Sequence, residues 1–270
     1  MLSVITTGRN DDYGGNFTER AAVSIGHNLA VFTDIGFNEE NLEYLLVEWM
    51  PFRNYLCTTD EFDIVNYFHP FRTIVVDRTI AKPENLNPDI YFEYFAKNAG
   101  IRRTKFNNIL LINADILLPV QTAREIQTLC QNGLDPNLFY RNRYRYNGDQ
   151  LVNLHDPSFP DACICGAYSG DFLLVNKDSL VNIGQGYNET DPDHRITYQT
   201  GMDGEILWNM YNAGMRLQFL ENPYKHIPHG KDRTYDNYKI GQSYVNKPDW
   251  GFIKYPSAFE IDDTVEVIYN

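Results

Sequence analysis

Asp115 stands in the middle of an otherwise apolar run, NNILLINADILLP, from Asn107 to Pro119. An ionised carboxylate taken out of water is costly unless something pairs with it. At the carboxyl end of a buried strand, its natural compensation is a hard divalent cation that in turn holds a diphosphate. A cap for the helix that follows Pro119 is the structural alternative. Positive charge for such a ligand lies close by in the sequence: Lys97, Arg102 and Arg103 precede the strand, and Arg72 follows His69-Pro70-Phe71. Acid and imidazole groups come later, as Asp171, Asp203 and Glu205 and then His226 and His229 within KHIPHGKD.

The chain that must position these groups has 270 residues, 43% hydrophobic and 14% aromatic, which is ample for a core. Its formal charge of −13 argues against a protein that coats nucleic acid or an anionic membrane through a general basic field. Any anionic ligand must be met by local positive groups. The longest apolar stretches, LLVEWMPF and ILLINADILLPV, fall well short of the ~20 residues of a membrane span. The opening MLSVITTGRND has neither the basic region nor the apolar core of a secretory signal, which sets the expectation of a cytoplasmic location. Cys57, Cys130, Cys163 and Cys165 have no zinc-site spacing and read as free thiols.

Leu2 to Thr7 is β-branched and alternating, Gly8 to Gly15 is a polar turn, and Phe17 to Asn28 is helical. Tyr44 to Trp49 and Thr73 to Val76 read as further buried strands, and Ile90 to Ile101 as a helix feeding the strand Asn108 to Ile112. Strands alternating with helices predict an α/β fold with a mostly parallel sheet covered on both faces. Ligands of such sheets bind at the carboxyl ends of the strands, where Thr7, Glu48 and Asp115 all fall. Further on, Gln121 to Cys130 reads as a helix, Phe139 to Tyr146 as one strand and Asp171 to Val175 as another. Met202 to Ala213 is a helix stopped by Gly214, and Leu217 to Leu220 is a last core strand. With no repeat and no linker, one domain is expected over residues 1–230, with a nucleotide half (1–120) and an acceptor half (121–230). Residues 231–270 are expected to form a tail or lid whose aromatics (Tyr235, Tyr238, Tyr244, Trp250, Phe252) pack on the domain.

The segment AKNAGIRRTKFNNILLINADILL resembles the part of GT-A glycosyltransferases, family two in particular, in which an A-x-N-x-G helix leads into the strand carrying a metal-binding D-x-D motif. Here the first aspartate is Asn113, giving Asn113-Ala114-Asp115. The resemblance implies Mn²⁺ or Mg²⁺ on Asp115, with Asn113 touching the ribose and Lys97, Asn98, Arg102 and Arg72 on the donor side. TTGRNDDYGGNFTERA and LLVEWMP are similar to the opening of bacterial and viral GT-A-like proteins. Thr7, Arg9 and Asn10 would then line the base and ribose pocket, and Glu48 would hold the nucleoside. CGAYSGDFLLVNKDSL and GMDGEILWNMYNAGMRL resemble the acceptor half of such enzymes. That likeness implies a general base at Asp203 or Glu205, Asp203 being preferred, and makes Asp171 an acceptor-binding residue or alternative base. A late histidine completing the metal shell is implied at His229, with His226 second.

These resemblances lead to the expectation of an inverting transfer from a nucleotide-diphosphate sugar, UDP-linked by preference, to a carbohydrate hydroxyl of a glycan or glycoprotein. A sugar nucleotidyltransferase would need a Lys/Arg-rich loop after the first strand, and GRNDDYGG has one Arg and no Lys. A non-catalytic carbohydrate-binding protein on the same fold is the other alternative, kept open by Asn113.

Overall fold

A computed structural model describes residues 1–11, 13–154, 170–182, 186–189, 202–230, 246, 248–260 and 263–270. The opening run forms β1 (Leu2–Gly8), buried at every residue, and β2 (Leu42–Trp49) is equally buried. Both therefore need cover on two faces. The first comes from α1 (Phe17–Asp34), which runs beyond the expected Asn28. β3 (Phe71–Val76), α2 (Glu93–Arg103) and β4 (Asn108–Ile112) follow, then the two-residue β5 (Ile116–Leu117) and α3 (Val120–Gln131). Alternate side chains of a strand point to opposite faces. Val4, Tyr44 and Leu46 accordingly join residues of α1 and α3 in one core, and Ile5, Leu45 and Val47 join residues of α2 in the other. Gly100 brings α2 close to the sheet: a Cβ there would lie 2.8 Å from Ile5 Cγ2 and 2.9 Å from Val47 Cγ2.

The second half contributes β6 (Leu138–Asn142), β7 (Tyr144–Asn147), β8 (Gln150–Asn153) and β9 (Phe172–Asn176). After α4 (Lys177–Asn182) and α5 (Met202–Asn212) come β10 (Arg216–Leu220) and β11 (Tyr224–His226). Finally come β12 (Ser257–Glu260) and β13 (Val265–Ile268). Among the described residues the central sheet has nine strands in the order β10-β6-β9-β4-β1-β2-β3-β13-β12. Only β9 and β12 run against the rest. A second, four-stranded sheet has the order β5-β11-β7-β8. The fold is a single-domain α/β architecture around a mostly parallel sheet, as expected.

Two expectations need correction. Phe139 to Tyr146 is not one strand: at Arg143 the backbone changes partners, its N–H going to Leu220 O at 2.8 Å and its carbonyl accepting from Leu154 N at 2.8 Å. β6 stays in the central sheet and β7 turns into the small one. Nor do Ser257–Glu260 and Val265–Ile268 lie in a tail. β13 pairs in parallel with β3 and carries β12 on its outer side, so these strands complete the sheet. Trp250 and Phe252 are buried in the α2-side core, whereas Tyr235, Tyr238 and Tyr244 lie outside the described residues. Cys57 and Cys130 are buried free thiols; Cys163 and Cys165 are outside the described residues. Among those described, no helix is long and apolar enough to cross a membrane.

Candidate active site

β4 ends at Ile112, and the chain turns through Asn113-Ala114-Asp115 before β5 begins the small sheet. Buried polar residues of α1 fix that turn. Ser24 Oγ and Asn28 Nδ2 donate to Ile116 O at 2.6 and 2.8 Å, and Asn28 Oδ1 accepts from Leu118 N at 2.8 Å. β11 pairs antiparallel with β5, His226 opposite Ile116, and Ile227 N donates to Asp115 O at 2.8 Å. The small sheet thereby carries His226 and His229 across the chain to Asp115.

The three side chains form a cluster whose ligand atoms all lie within 4.8 Å of one another. Asp115 Oδ2 is 2.9 Å from His229 Nε2 and 3.5 Å from His226 Nε2. Among the described residues, buried Asp115 Oδ1 and His226 Nδ1 have no hydrogen-bond partner. Burial pushes the His226 imidazolium down to about 4 despite the carboxylate beside it, leaving a neutral ring at physiological pH. The hydrogen bond to Asp115 raises His229. One carboxylate and two imidazoles, with orphaned acceptor capacity, fit a divalent cation that takes mixed oxygen and nitrogen ligands.

The loop after β1 closes over the cluster. The Tyr13 ring lies 5.4 Å from that of His229, and Arg20 of α1 donates to the carbonyls of Tyr13 (2.7 Å), Gly14 and Gly15. Arg20, unremarked in the sequence, ties the Gly-rich loop to the helix behind it. Its spacing from that loop was the available signal. Within the loop, Arg9 pairs with Asp11 at 3.0 Å and lies 4.5 Å from the centre of the Phe52 ring. Asn10 Nδ2 donates to Asn54 O at 2.9 Å, and Thr7 Oγ1 accepts from Tyr91 OH at 2.8 Å. Glu48 pairs in register with Gly8. Burial pushes its carboxyl up to about 8, against the opposing pull of the Leu56 amide at 2.8 Å and the Asn10 amide. Thr7, Arg9, Asn10 and Glu48 are thus brought together at the carboxyl ends of β1 and β2.

On the other side of Asp115, Asn113 Nδ2 donates to Asp171 Oδ1 at 3.2 Å, and its own Oδ1 is buried without a partner among the described residues. Asp171 Oδ2 is held by Arg145 of β7 and by Tyr224 OH at 3.0 Å. Burial raises its carboxyl, with Arg145 opposing. Asp171 is thus held by Arg145, Tyr224 and Asn113. Arg145 is not marked in the sequence, because nothing in the alternation of FYRNRYRY distinguishes a core arginine from a surface one.

Asp203 lies in the first turn of α5 and is paired with Lys97 at 3.0 Å. Glu205 accepts from Asn188 Nδ2 at 3.1 Å, and burial raises it. The other basic candidates lie elsewhere. Arg72 binds Glu43 (3.0 Å), Glu266 (2.8 Å) and Arg103 O (2.7 Å) near the amino end of β3. Arg102, at the end of α2, stacks 3.7 Å from the Trp250 ring centre and donates to Trp250 O and Pro248 O. Asn98 clamps the 187–189 segment, donating to Tyr187 O and Glu189 Oε1 at 2.8 Å each and accepting from Tyr187 N at 2.8 Å. Arg72, Arg102 and Asn98 are thus each engaged by other parts of the chain: Glu43 and Glu266, Trp250, and the 187–189 segment. Most of CGAYSG lies outside the described residues.

The sequence matches no protein-family model and no curated protein. The fold does have close company. Residues 1–349 of S. aureus TarS superpose with a TM-score of 0.53 at 13% identity, over 83% of this chain and 60% of that one. The same protein in complex with UDP-GlcNAc gives 0.51 at 12%, over 87% and 59%. The mannosyltransferase PcManGT from Pyrobaculum calidifontis, in complex with GDP-Man and Mn²⁺, gives 0.50 at 15%, over 83% and 56%. This chain therefore has the GT-A-type glycosyltransferase fold. It spans between 56% and 60% of the length of these neighbours.

Proposed function

We propose that the protein is a glycosyltransferase that moves a sugar from a nucleoside-diphosphate donor, with UDP preferred, to a carbohydrate hydroxyl on a glycan or glycoprotein, with inversion. The observation that carries this reading is the Asp115–His226–His229 cluster, with its unpartnered buried atoms, at the carboxyl edge of a GT-A-type sheet. The neighbours' complexes with UDP-GlcNAc and with GDP-Man and Mn²⁺ agree with it. Asp115, His226 and His229 would hold Mn²⁺ or Mg²⁺; when bound, the cation supplies positive charge to a leaving diphosphate. Thr7, Arg9, Asn10 and Glu48 would line the nucleoside pocket, Asn113 would meet the ribose, and Asp203 would take the acceptor proton. Asp203 is favoured over Glu205 because Glu205 is buried against Asn188.

The test is release of nucleoside diphosphate from a panel including UDP-GlcNAc and GDP-Man, with Asp203→Asn as control. Metal-dependent release from one donor, lost in the variant, is expected. Nucleotide binding without release from any donor would favour the non-catalytic alternative, and neither binding nor release would sink the proposal.

A further inference from the structure

Lys97 sits in the middle of α2 with 1% of its side chain exposed. Its ammonium lies 2.8 Å from Glu93 Oε1, one turn earlier, and 3.0 Å from Asp203 Oδ1, with Gly170 O at 3.5 Å. The rings of Tyr187 and Tyr94 cover it at 5.2 and 5.9 Å. Burial opposes the charge, but Asp203 and Glu93 together overcome it and hold Lys97 well above the ordinary lysine value. An ammonium has three donors and no acceptor. One held in this way has none left for a diphosphate.

Taking the glycosyl-transfer reading as its basis, we infer that Lys97 is a positioning residue for the general base. It fixes Asp203 through Oδ1, leaving Oδ2 to receive the acceptor proton, while Glu93 is the anion that remains to balance the lysine. In the step it serves, the acceptor oxygen bonds to the anomeric carbon. The bond from that carbon to the diphosphate oxygen breaks, its electron pair leaving on the diphosphate, and the hydroxyl proton passes to Asp203 Oδ2. Two carboxylates against one ammonium carry a net negative charge beforehand; after proton uptake, Lys97 and Glu93 balance each other. The cluster therefore becomes neutral as the base does its work, which spares a buried site an uncompensated charge.

Gly170 fits the same picture. A Cβ at this position would collide with Asp203 Oδ2 and lie 2.7 Å from its Cγ. Only glycine lets the carboxylate stand against this stretch of backbone while Lys97 holds its other oxygen.

The experiment measures two quantities on each variant, with melting temperature as a check on folding. One is UDP affinity by calorimetry with Mn²⁺; the other is UDP release from a UDP-sugar that the wild type hydrolyses, water standing in for the acceptor. Lys97→Met and Gly170→Ala are each expected to bind UDP within about twofold of wild type while turnover falls about 10- to 100-fold, the scale of loss from a misplaced reacting group. Lys97→Arg, which keeps the charge, is expected to recover part of the Lys97→Met loss. UDP affinity falling in proportion to turnover in Lys97→Met would overturn the inference and return Lys97 to the diphosphate. Unchanged turnover in Lys97→Met would overturn it too. Should Lys97→Met not fold, Lys97→Gln carries the same two readouts. Wild-type protein that binds no nucleotide would instead remove the glycosyl-transfer reading itself, and this inference with it.

Discussion

The two edges of the central sheet handle charge in opposite ways. At the amino edge, Arg72 is shared between Glu43 and Glu266, Glu266 also meets Arg103 at 3.4 Å, and Glu43 Oε2 accepts from Ser3 Oγ and the Lys105 amide at 2.6 and 2.7 Å. The ionic groups of this cluster answer one another. At the carboxyl edge, Asp115 Oδ1, Asn113 Oδ1 and His226 Nδ1 are buried and unanswered, and Glu48 is buried far enough to hold its proton to about pH 8. Folding does not leave buried polar atoms unpaired without reason. The satisfied edge holds the sheet together, and the unsatisfied edge is the one we propose takes a ligand.

Substitutions at the two edges should therefore fail in different currencies. The largest effect is expected from Asp203→Asn, which removes the proposed base: turnover falls by about 10²- to 10⁴-fold at the nucleotide affinity of the wild type, with a lowered melting temperature because buried Lys97 loses one of its two carboxylate partners. A fall in affinity of the same size would move Asp203 to the donor side. Next comes the amino edge, where Arg72→Met removes the guanidinium shared by Glu43 and Glu266. Arg72 is 22% exposed, so the cost is set below that of a fully buried pair, at roughly 1–3 kcal/mol of stability. Nucleotide affinity of the folded variant should be unchanged, and a weakened affinity would blur the division between the edges.

A smaller, pH-dependent effect is expected at Glu48. The unfolded chain releases this proton near the ordinary 4.5 and the folded chain near 8, so between those values the folded state holds more protons and loses stability as pH rises. Glu48→Gln abolishes that loss. Its melting temperature relative to wild type should climb from pH 5 to pH 8, and a flat difference would mean that Glu48 is ionised in the folded protein. Smaller again is a graded effect on the metal. Protons compete with a cation for imidazole, and His229 is the more basic ring of the pair. Mn²⁺ affinity should weaken as pH falls from 8 to 6, more in wild type than in His229→Gln.

What the sequence made legible follows from how local each signal is. The central strands could be read because burial on both faces leaves a continuous apolar run, and Gly214 marks a helix stop within a few residues of the helix it ends. The carboxyl-end positions of Thr7, Glu48 and Asp115 followed from those strands. The basic residues were harder, because side chains one position apart on a helix point about 100° apart: Lys97, Asn98 and Arg102 all belong to α2 yet meet Asp203, the 187–189 segment and Trp250. The Glu93 to Lys97 spacing of four was the overlooked sign that this lysine had a partner already. The small sheet stayed invisible because its strands are two to four residues long and β11, which joins β5 to β7, is far removed from both in sequence. Likewise β12 and β13 gave no sign that residues after 256 return to the central sheet, since nothing local announces a parallel partner at Thr73 to Val76.

The central claim is that the unanswered groups around Asp115 form a metal-assisted nucleotide site, and calorimetric titration of UDP and GDP tests it most directly. The titrations are run with and without Mn²⁺, on wild type and on Asp115→Ala. Binding of one nucleotide that requires Mn²⁺ and disappears in the variant, with the melting temperature held, is the expected result. Binding that ignores both Mn²⁺ and the loss of Asp115, or no binding under any condition, would contradict the account and leave Asp115 as a structural turn residue.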